Sequence, residues 1–194
     1  MILKQLNNSL EQLIDEINDS KHYYYDNFIN VSLNVEDQYI QIIIDDIWGD
    51  AYRYQLSDYN PEWLAEATTA QITKELLKGT KKLYNDLNLL EKNSYTYVEN
   101  NIENILENIK ECKDASDTFY LVLDIVDNKI MNYMSTSTEC TYTYEIFDTY
   151  DLYELEEIEE RELTDEELKE LILKKTKERI SEWKFILQNF ENEE

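Results

Sequence analysis

The chain has 194 residues, of which 43 are acidic and 18 basic, so its formal net charge at pH 7 is −25. This charge disfavours direct binding to nucleic acid or to an anionic membrane, because every phosphate contact would begin with repulsion. With two glycines and one histidine, the sequence excludes a phosphate-binding loop, a dinucleotide fingerprint, a nucleophile elbow and the usual histidine-based metal clusters.

The N-terminal part of the chain predicts one helix followed by three strands. Leucines and isoleucines at helical spacing predict an amphipathic helix over residues 2–18. Alternating apolar residues and a β-branched run then predict strands, the third as the hairpin partner of the second. The strands are expected at residues 31–35, 39–44 and 51–56.

Two further helices are predicted in the middle of the chain. Asn60 as N-cap and Pro61 at the first helical position mark the start of a helix that runs to about Lys92, bent or divided at Gly79. Apolar spacing predicts the next helix over residues 98–112. Trp48 and Trp63, which flank the start of this region, are expected to pack in the core.

The C-terminal part predicts three strands and a last helix. Strands are expected at residues 119–126, 130–134 and 141–147, with Asp127-Asn128 as the tight turn between the first two. Residues 150–162 fit neither the strand nor the helix period throughout, so both assignments stay open. Thr164 with Glu167 three positions later has the spacing of a capping box for the final helix.

These elements together predict an α+β fold with about four helices and five to six mainly antiparallel strands. No internal repeat and no linker of proline, glycine and serine is present. We therefore expect a single domain over residues 1–194. The alternative is two small α+β halves, 1–95 and 96–194, of which the second is strongly acidic.

The acidic residues are concentrated in one part of the chain. Residues 98–170 hold 22 acids and 5 bases, which gives a net charge of −17, whereas residues 171–194 are neutral. The 27 glutamates greatly exceed the 15 lysines, although an AT-rich genome, which the abundant isoleucine, asparagine and tyrosine indicate, would raise lysine as well. The acidity therefore calls for a physical reason.

Carboxylates in rows predict a binding surface for a basic partner. Glutamates at i, i+4 spacing lie about 6 Å apart on one helix face and repel one another, and such rows can stand in for the phosphates of a nucleic-acid backbone. Exposed tyrosines beside them are typical interface anchors that can also meet cations. The candidate partner-binding residues are Glu99, Glu103, Glu107, Glu111, Glu145, Asp148, Tyr150, Asp151, Tyr153, Glu154, Glu156, Glu157, Glu159, Glu160 and Glu162.

The sequence predicts no catalytic site, no metal site and no cofactor. His22, the one histidine, is expected at the end of the first helix beside Lys21, where a cation is favoured rather than a catalytic base. Cys112 and Cys140 lack the spacing of a metal-binding or redox pair. The three Glu-x-Lys matches fall in or at the end of predicted helices, where positions i and i+2 diverge. We therefore expect a protein that is not an enzyme.

In size, charge, low glycine content and AT-rich composition, the whole chain resembles the small phage and mobile-element proteins that block bacterial defence, the anti-CRISPR and antirestriction inhibitors, several of which mimic DNA. This likeness is one of overall character, so no site residue is transferred from those families. It implies that the partner is a basic nucleic-acid-binding protein, such as a Cas effector or a restriction enzyme.

Other functions and states follow from the same residues. One alternative is an immunity protein or antitoxin that neutralises a basic toxin, and another is a non-catalytic acidic interaction domain. The neutral, Trp-bearing last helix leaves a homodimer open. The N-terminus lacks the apolar core of a signal peptide and no apolar run is long enough to span a membrane, so we expect the cytoplasm of a bacterial host cell.

Overall fold

A computed structural model describes residues 2–20, 29–36, 39–46, 53–115, 118–135 and 144–191. Within these residues there are five helices and six strands, and the strands form two antiparallel three-stranded sheets. The predicted α+β class is thereby confirmed. The described residues group into two compact units: unit 1 comprises 2–87 and 185–191, and unit 2 comprises 88–135 and 144–184.

Unit 1 contains the first sheet and the helices around it. Its elements are α1 (Ile2–Ser20), β1 (Ile29–Glu36), β2 (Tyr39–Asp46), β3 (Arg53–Tyr59), α2 (Pro61–Glu66) and the first part of α3 (Thr69–Asp114). The strand order is β2-β1-β3, with both neighbours antiparallel to β1. The predicted hairpin between β2 and β3 is therefore wrong. Only residues 37 and 38 separate β1 from β2, a length that favours a hairpin between those two strands.

The core of unit 1 is built from the apolar stripes of its helices and the inner positions of β1 and β3. Val31 and Leu33 of β1 have no exposed surface, and Leu6 and Ile17 of α1 are equally buried. Tyr59 at the end of β3 is also buried, and its hydroxyl donates a hydrogen bond to the carbonyl oxygen of Ile72 at 3.2 Å. The sheet and helices thus share one apolar interior.

The helix that follows β3 begins as predicted and then departs from the prediction. The side chain of Asn60 accepts hydrogen bonds from the backbone N–H groups of Glu62 and Trp63, which confirms it as the N-cap of α2. Instead of two helices, residues 69–114 form one helix of 46 residues, which Gly79 does not divide. The polar stretch near Ser94 contains no helix-breaking residue, and Ser94 is itself fully buried.

Unit 2 contains the second sheet, the remainder of α3 and two further helices. Its other elements are β4 (Tyr120–Val126), β5 (Lys129–Ser135), β6 (Glu145–Asp148), α4 (Thr149–Glu159) and most of α5 (Asp165–Glu191). The order β5-β4-β6 is antiparallel throughout. Asp127 and Asn128 have φ angles of 52° and 59°, which confirms the predicted tight turn between β4 and β5.

The structure settles the C-terminal assignments. Residues 149–159 are helical, so the open assignment of residues 150–162 is decided in favour of a helix over most of its length. Thr164 and Glu167 form the predicted capping box: the Glu167 carboxylate accepts from the Thr164 N–H at 2.8 Å, and the Thr164 hydroxyl accepts from the Glu167 N–H at 3.3 Å. Trp183 of α5 is completely buried.

Several residues singled out in the sequence cannot be placed. His22, Trp48, Cys140 and residues 141–143 of the predicted last strand lie outside the described residues. No helix among the described residues is long and apolar enough to span a membrane.

Candidate functional site

The predicted carboxylate row on α3 is present in unit 2. Glu99, Glu103, Glu107 and Glu111 are all exposed, and their i, i+4 spacing places them along one side of a continuous helix. Successive carboxylates are about 6 Å apart along the axis, so the row extends over about 18 Å. The helix thus presents four acids to solvent in a regular line.

Only one member of this row has a basic partner within the described part of the chain. Lys169 of α5 lies 2.7 Å from the Glu103 carboxylate, and the ion pair is the main reason that the pKa of Lys169 is raised. Glu99, Glu107 and Glu111 make no ion pair with any described residue. Their charges are therefore available to an external cation.

The inward side of α4 is tied to its neighbours by ion pairs. The Lys113 ammonium lies 2.7 Å from the Glu156 carboxylate, which also accepts a hydrogen bond from the Leu163 N–H at 3.1 Å. Lys175 of α5 likewise binds Asp151. Glu156 and Asp151 were predicted to contact a partner, but both carboxylates are partly buried and hold α4 against α3 and α5.

The outward side of α4 has a different composition. Tyr150, Tyr153 and Ile158 are 65%, 42% and 68% exposed, and Glu154 and Glu157 lie exposed among them. Neither glutamate forms an ion pair with a described residue. This side of α4 therefore combines aromatic and apolar surface with unneutralised carboxylates.

The connection between α4 and α5 carries further acids and one arginine. Glu160 ends α4 in the left-handed conformation, with φ of 53°. The Arg161 guanidinium forms a bidentate ion pair with the Glu167 carboxylate at 2.5 and 2.9 Å. The Glu159 carboxylate lies 3.8 Å from the same guanidinium. Glu162 is 84% exposed and 3.7 Å from Lys113. Glu160 makes no ion pair within the described chain, so its charge adds to the acidic side of this connection.

Two further predicted partner-binding residues, Glu145 and Asp148, are buried and half-buried respectively. Glu145 of β6 is only 5% exposed, and its Oε2 atom has no hydrogen-bond partner among the described residues. Burial raises the pKa of Glu145 to about 7, with the nearby negative charges of Asp148 and Asp151 acting in the same direction and Arg179 opposing them. Asp148 is the N-cap of α4: its Oδ1 accepts from the Asp151 N–H at 2.9 Å.

The exposed carboxylates of α3 and α4 in unit 2 that make no described ion pair, together with the exposed aromatic and apolar side chains of α4, form what we call the acidic surface of unit 2. It comprises Glu99, Glu107 and Glu111 of α3 and Tyr150, Tyr153, Glu154, Glu157 and Ile158 of α4. Ile158 was not predicted, because the period of residues 150–162 was ambiguous. The spacing of Tyr150, Glu154 and Ile158, four residues apart, would have revealed it once the segment was treated as a helix.

Unit 2 contains a cleft whose charged side chains are already paired with one another. Its volume is about 530 Å³. It is lined by Ile109, Lys110, Lys113, Leu152, Glu156, Glu162, Leu163, Asp165 and Leu168. Lys110 pairs with Asp165 at 2.7 Å, and Lys113 pairs with Glu156. Both lysines thus have acidic partners, and the cleft does not form a basic pocket.

Unit 1 contains a cleft of different character. Its volume is about 580 Å³, and its walls include Tyr59, Trp63 and Gly79. The Tyr59 and Trp63 rings are stacked, 5.7 Å apart and within 6° of parallel. Trp63 is 37% exposed, so its expected place in the core is corrected: one face packs on Tyr59 and the remainder is open to solvent.

Among the described residues, no group of three or more His, Cys, Asp or Glu side chains is arranged to hold a metal ion. Comparison of the chain with protein-family models, with curated proteins and with solved structures finds no match. The geometry and the charge of the chain itself are therefore what bears on its function.

Proposed function

We propose that the protein is an inhibitor that binds the basic nucleic-acid-binding surface of a bacterial defence nuclease, a CRISPR effector or a restriction enzyme, through carboxylates that mimic a phosphate backbone. The observation that carries this proposal is the regular line of exposed carboxylates on α3, three of which have no described basic partner. A groove shaped to hold phosphates accepts negative charges presented at such regular intervals.

The charge density of the row sets a requirement on the rest of the surface. One DNA strand carries a phosphate every 3.4 Å or so along the helix axis, whereas the α3 row carries a carboxylate about every 6 Å. A single row thus has roughly half the axial charge density of one strand. The carboxylates of α4 supply a second set of charges in the same unit, which is why we include Glu154 and Glu157 in the acidic surface.

The overall charge supports the proposal kinetically. Residues 98–170 carry a net charge of −17, and a field of one sign steers a basic partner and raises the rate of association, most strongly at low salt. The same field opposes approach of nucleic acid. A basic protein is therefore the partner we propose, without direct binding of nucleic acid or membrane.

Inhibition of purified nucleases tests this function. The assay measures DNA cleavage by a panel of CRISPR effectors and restriction endonucleases at about 0.1 M and about 0.5 M salt, concentrations that change the Debye length from roughly 10 Å to under 5 Å. We expect at least one enzyme to be inhibited at low salt and released by high salt or by added DNA. Failure to inhibit any basic nuclease would contradict the proposal.

A charge-neutralised variant makes the test specific. Replacing Glu99, Glu107, Glu111, Glu154 and Glu157 with Gln removes five charges that make no described ion pair, so the fold is retained. We expect this variant to inhibit at least about tenfold more weakly, because each lost contact removes released counterions. The matched control replaces five exposed acids of unit 1, Glu11, Asp15, Glu16, Glu62 and Glu66, with their amides. Equal weakening of inhibition by both variants would mean that inhibition depends on the net charge of the protein and not on the acidic surface of unit 2.

The second candidate function is an immunity protein or antitoxin for a basic toxin. The exposed apolar side chains of α4, Tyr150 and Ile158, favour it, because an antidote that binds through apolar contacts depends little on salt. The assay separates the two candidates. Inhibition that is equal at both salt concentrations and unaffected by DNA supports the antidote over the phosphate mimic.

A further inference from the structure

The outward face of α4 carries more than charge. Tyr150, Glu154 and Ile158 follow one another at four-residue intervals, and Tyr153 and Glu157 fill the intervening positions, so all five lie on one side of the helix. The opposite side contains Leu152, which is buried. The helix is thus fixed to unit 2 on one side and exposes the five residues on the other.

Aromatic and apolar side chains make up much of this face. Ten large hydrophobic side chains are exposed among the described residues, and three of them lie on this one helix of eleven residues. A surface that only imitated phosphates, or only kept the protein soluble, would need carboxylates alone. Clustered exposed aromatic residues are instead characteristic of contact surfaces.

We propose that this face of α4 binds arginine side chains of the basic partner, and that it distinguishes arginine from lysine. The proposal rests on the proposed function and names the partner chemistry that the acidic surface recognises. The guanidinium is planar and weakly hydrated, so it can lie on a tyrosine ring while it pairs with a neighbouring carboxylate through two parallel hydrogen bonds.

The arrangement on α4 fits both halves of an arginine side chain. Tyr150 and Tyr153 supply the rings, and Glu154 is one turn from Tyr150 and adjacent to Tyr153. Ile158, one turn beyond Glu154, offers apolar surface to the methylene stem of an arginine. A lysine ammonium is compact and strongly hydrated, and makes only the charge contact. Selectivity therefore comes mainly from the rings, and the two parallel hydrogen bonds to a carboxylate add to it.

Binding of two synthetic peptides tests the inference without knowledge of the natural partner. The probes are fluorescein-labelled nonamers of arginine and of lysine, which carry equal charge, and affinity for the full chain is measured by fluorescence anisotropy. We expect the arginine peptide to bind about fivefold more tightly or better, on the scale of stacking one or two cations on rings. Equal affinity of the two peptides would overturn the inference.

Substitutions locate the preference on α4. The double variant Y150S/Y153S is expected to lose most of the arginine preference while it still binds both peptides, since the charges remain. E154Q/E157Q is expected to weaken both peptides. The control is Y39S, because Tyr39 in unit 1 is 62% exposed, close to the 65% of Tyr150, and we expect it to keep the preference. An undiminished arginine preference in Y150S/Y153S would overturn the inference, and far-ultraviolet circular dichroism verifies that the variant is folded.

The nuclease assay distinguishes failure of this inference from failure of the proposed function. If the peptides bind equally while a nuclease is still inhibited through the acidic surface, the function stands and the arginine selectivity is wrong. If the arginine preference is found and mapped to the tyrosines but no nuclease is inhibited, the surface binds arginine and its partner belongs to another class.

Discussion

The α-carbon of Gly79 lies directly against the backbone of Leu56: a methyl group built on Gly79 would come within 1.4 Å of the Leu56 carbonyl oxygen. Gly79 is helical with a negative φ, so this position does not require the conformational freedom of glycine. The absence of a side chain is what matters, because it lets α3 approach β3 inside unit 1. A glycine that was expected to bend or divide the helix instead permits close packing.

We predict that Gly79→Ala destabilises the protein by about 1–3 kcal/mol or more, because the clash is with backbone and can be relieved only by moving the strand. The sign is opposite to the usual effect of Gly→Ala in a helix, which stabilises by roughly 0.5–1 kcal/mol. Urea unfolding measures the change. Asn85→Ala, at an exposed position of the same helix, is the control and should stabilise slightly. An unchanged or raised stability of Gly79→Ala would contradict the packing described.

The buried carboxyl of Glu145 leads to a prediction about pH. Its pKa in the folded protein is about 7, against an ordinary value of 4.5, so the folded state holds the proton more tightly than the unfolded state does. The stability that this site contributes is complete below pH 4.5 and is lost as the pH rises towards and through 7. The wild-type protein therefore loses stability at Glu145 between pH 5 and pH 8.

Glu145→Gln should abolish that loss, since the amide resembles the protonated acid. The shift corresponds to roughly 3 kcal/mol at most, at 1.36 kcal/mol per pKa unit. We expect the difference in unfolding free energy between variant and wild type to grow from pH 5 to pH 8 by about 1–3 kcal/mol in favour of the variant. The control is Glu154→Gln on the exposed face of α4. A constant difference across this range would contradict the buried, unpartnered carboxyl.

Loss of the capping box should weaken the start of α5. Thr164→Ala removes the hydroxyl that accepts from the Glu167 N–H, and the expected cost is about 1 kcal/mol in urea unfolding at pH 7. Thr164→Ser keeps the hydroxyl and should remain close to wild type. If the serine variant lost as much stability as the alanine variant, the cap would not be the cause.

The stability that the capping box contributes is expected to fall at low pH. The hydrogen bond from Arg161, helped by those from Thr164, lowers the pKa of Glu167 to about 2 from an ordinary 4.5. A carboxylate with a lowered pKa contributes stability above its unfolded pKa and loses it as the pH falls through its folded pKa. The difference between Glu167→Gln and wild type should therefore shrink between pH 4.5 and pH 2. A difference that stayed constant over this range would mean that the ionised Glu167 carboxylate does not stabilise the capping box.

Local signals in the sequence were sufficient for the elements whose geometry is local. Asn60 before Pro61, the Asp127-Asn128 turn and the spacing of Thr164 and Glu167 each specify contacts within a few residues, and each is found in the structure. Pairing of β3 with β1 is a long-range choice that the strand pattern does not encode. The continuity of α3 was missed because the buried Ser94 interrupts the apolar line without interrupting the helix.

The positions of the carboxylates along the chain were easier to predict than their exposure to solvent. Glu99 and Glu107 could be placed on a helix face from spacing alone, and both are exposed. Glu145 and Glu156 look equivalent to them in the sequence, yet one is buried in a strand and the other is paired with Lys113. Which carboxylate remains unpaired depends on the lysines that neighbouring helices bring near it, and this information arises only when the elements pack.

The row on α3 yields a prediction that connects stability with function. Like charges at i, i+4 destabilise a helix by about 0.2–0.5 kcal/mol per pair, so Glu107→Gln, which relieves repulsion with both Glu103 and Glu111, should stabilise the protein by several tenths of a kcal/mol at low salt. The gain should vanish at about 1 M salt, where the Debye length is near 3 Å. Glu103→Gln loses the ion pair with Lys169, so its gain should be smaller. Urea unfolding of both variants at two salt concentrations measures this difference. If Glu107→Gln destabilised the protein, the Glu107 carboxylate would contribute to the fold. If the variant were more stable but inhibited its target less well, the charge would serve binding of a partner at the expense of stability.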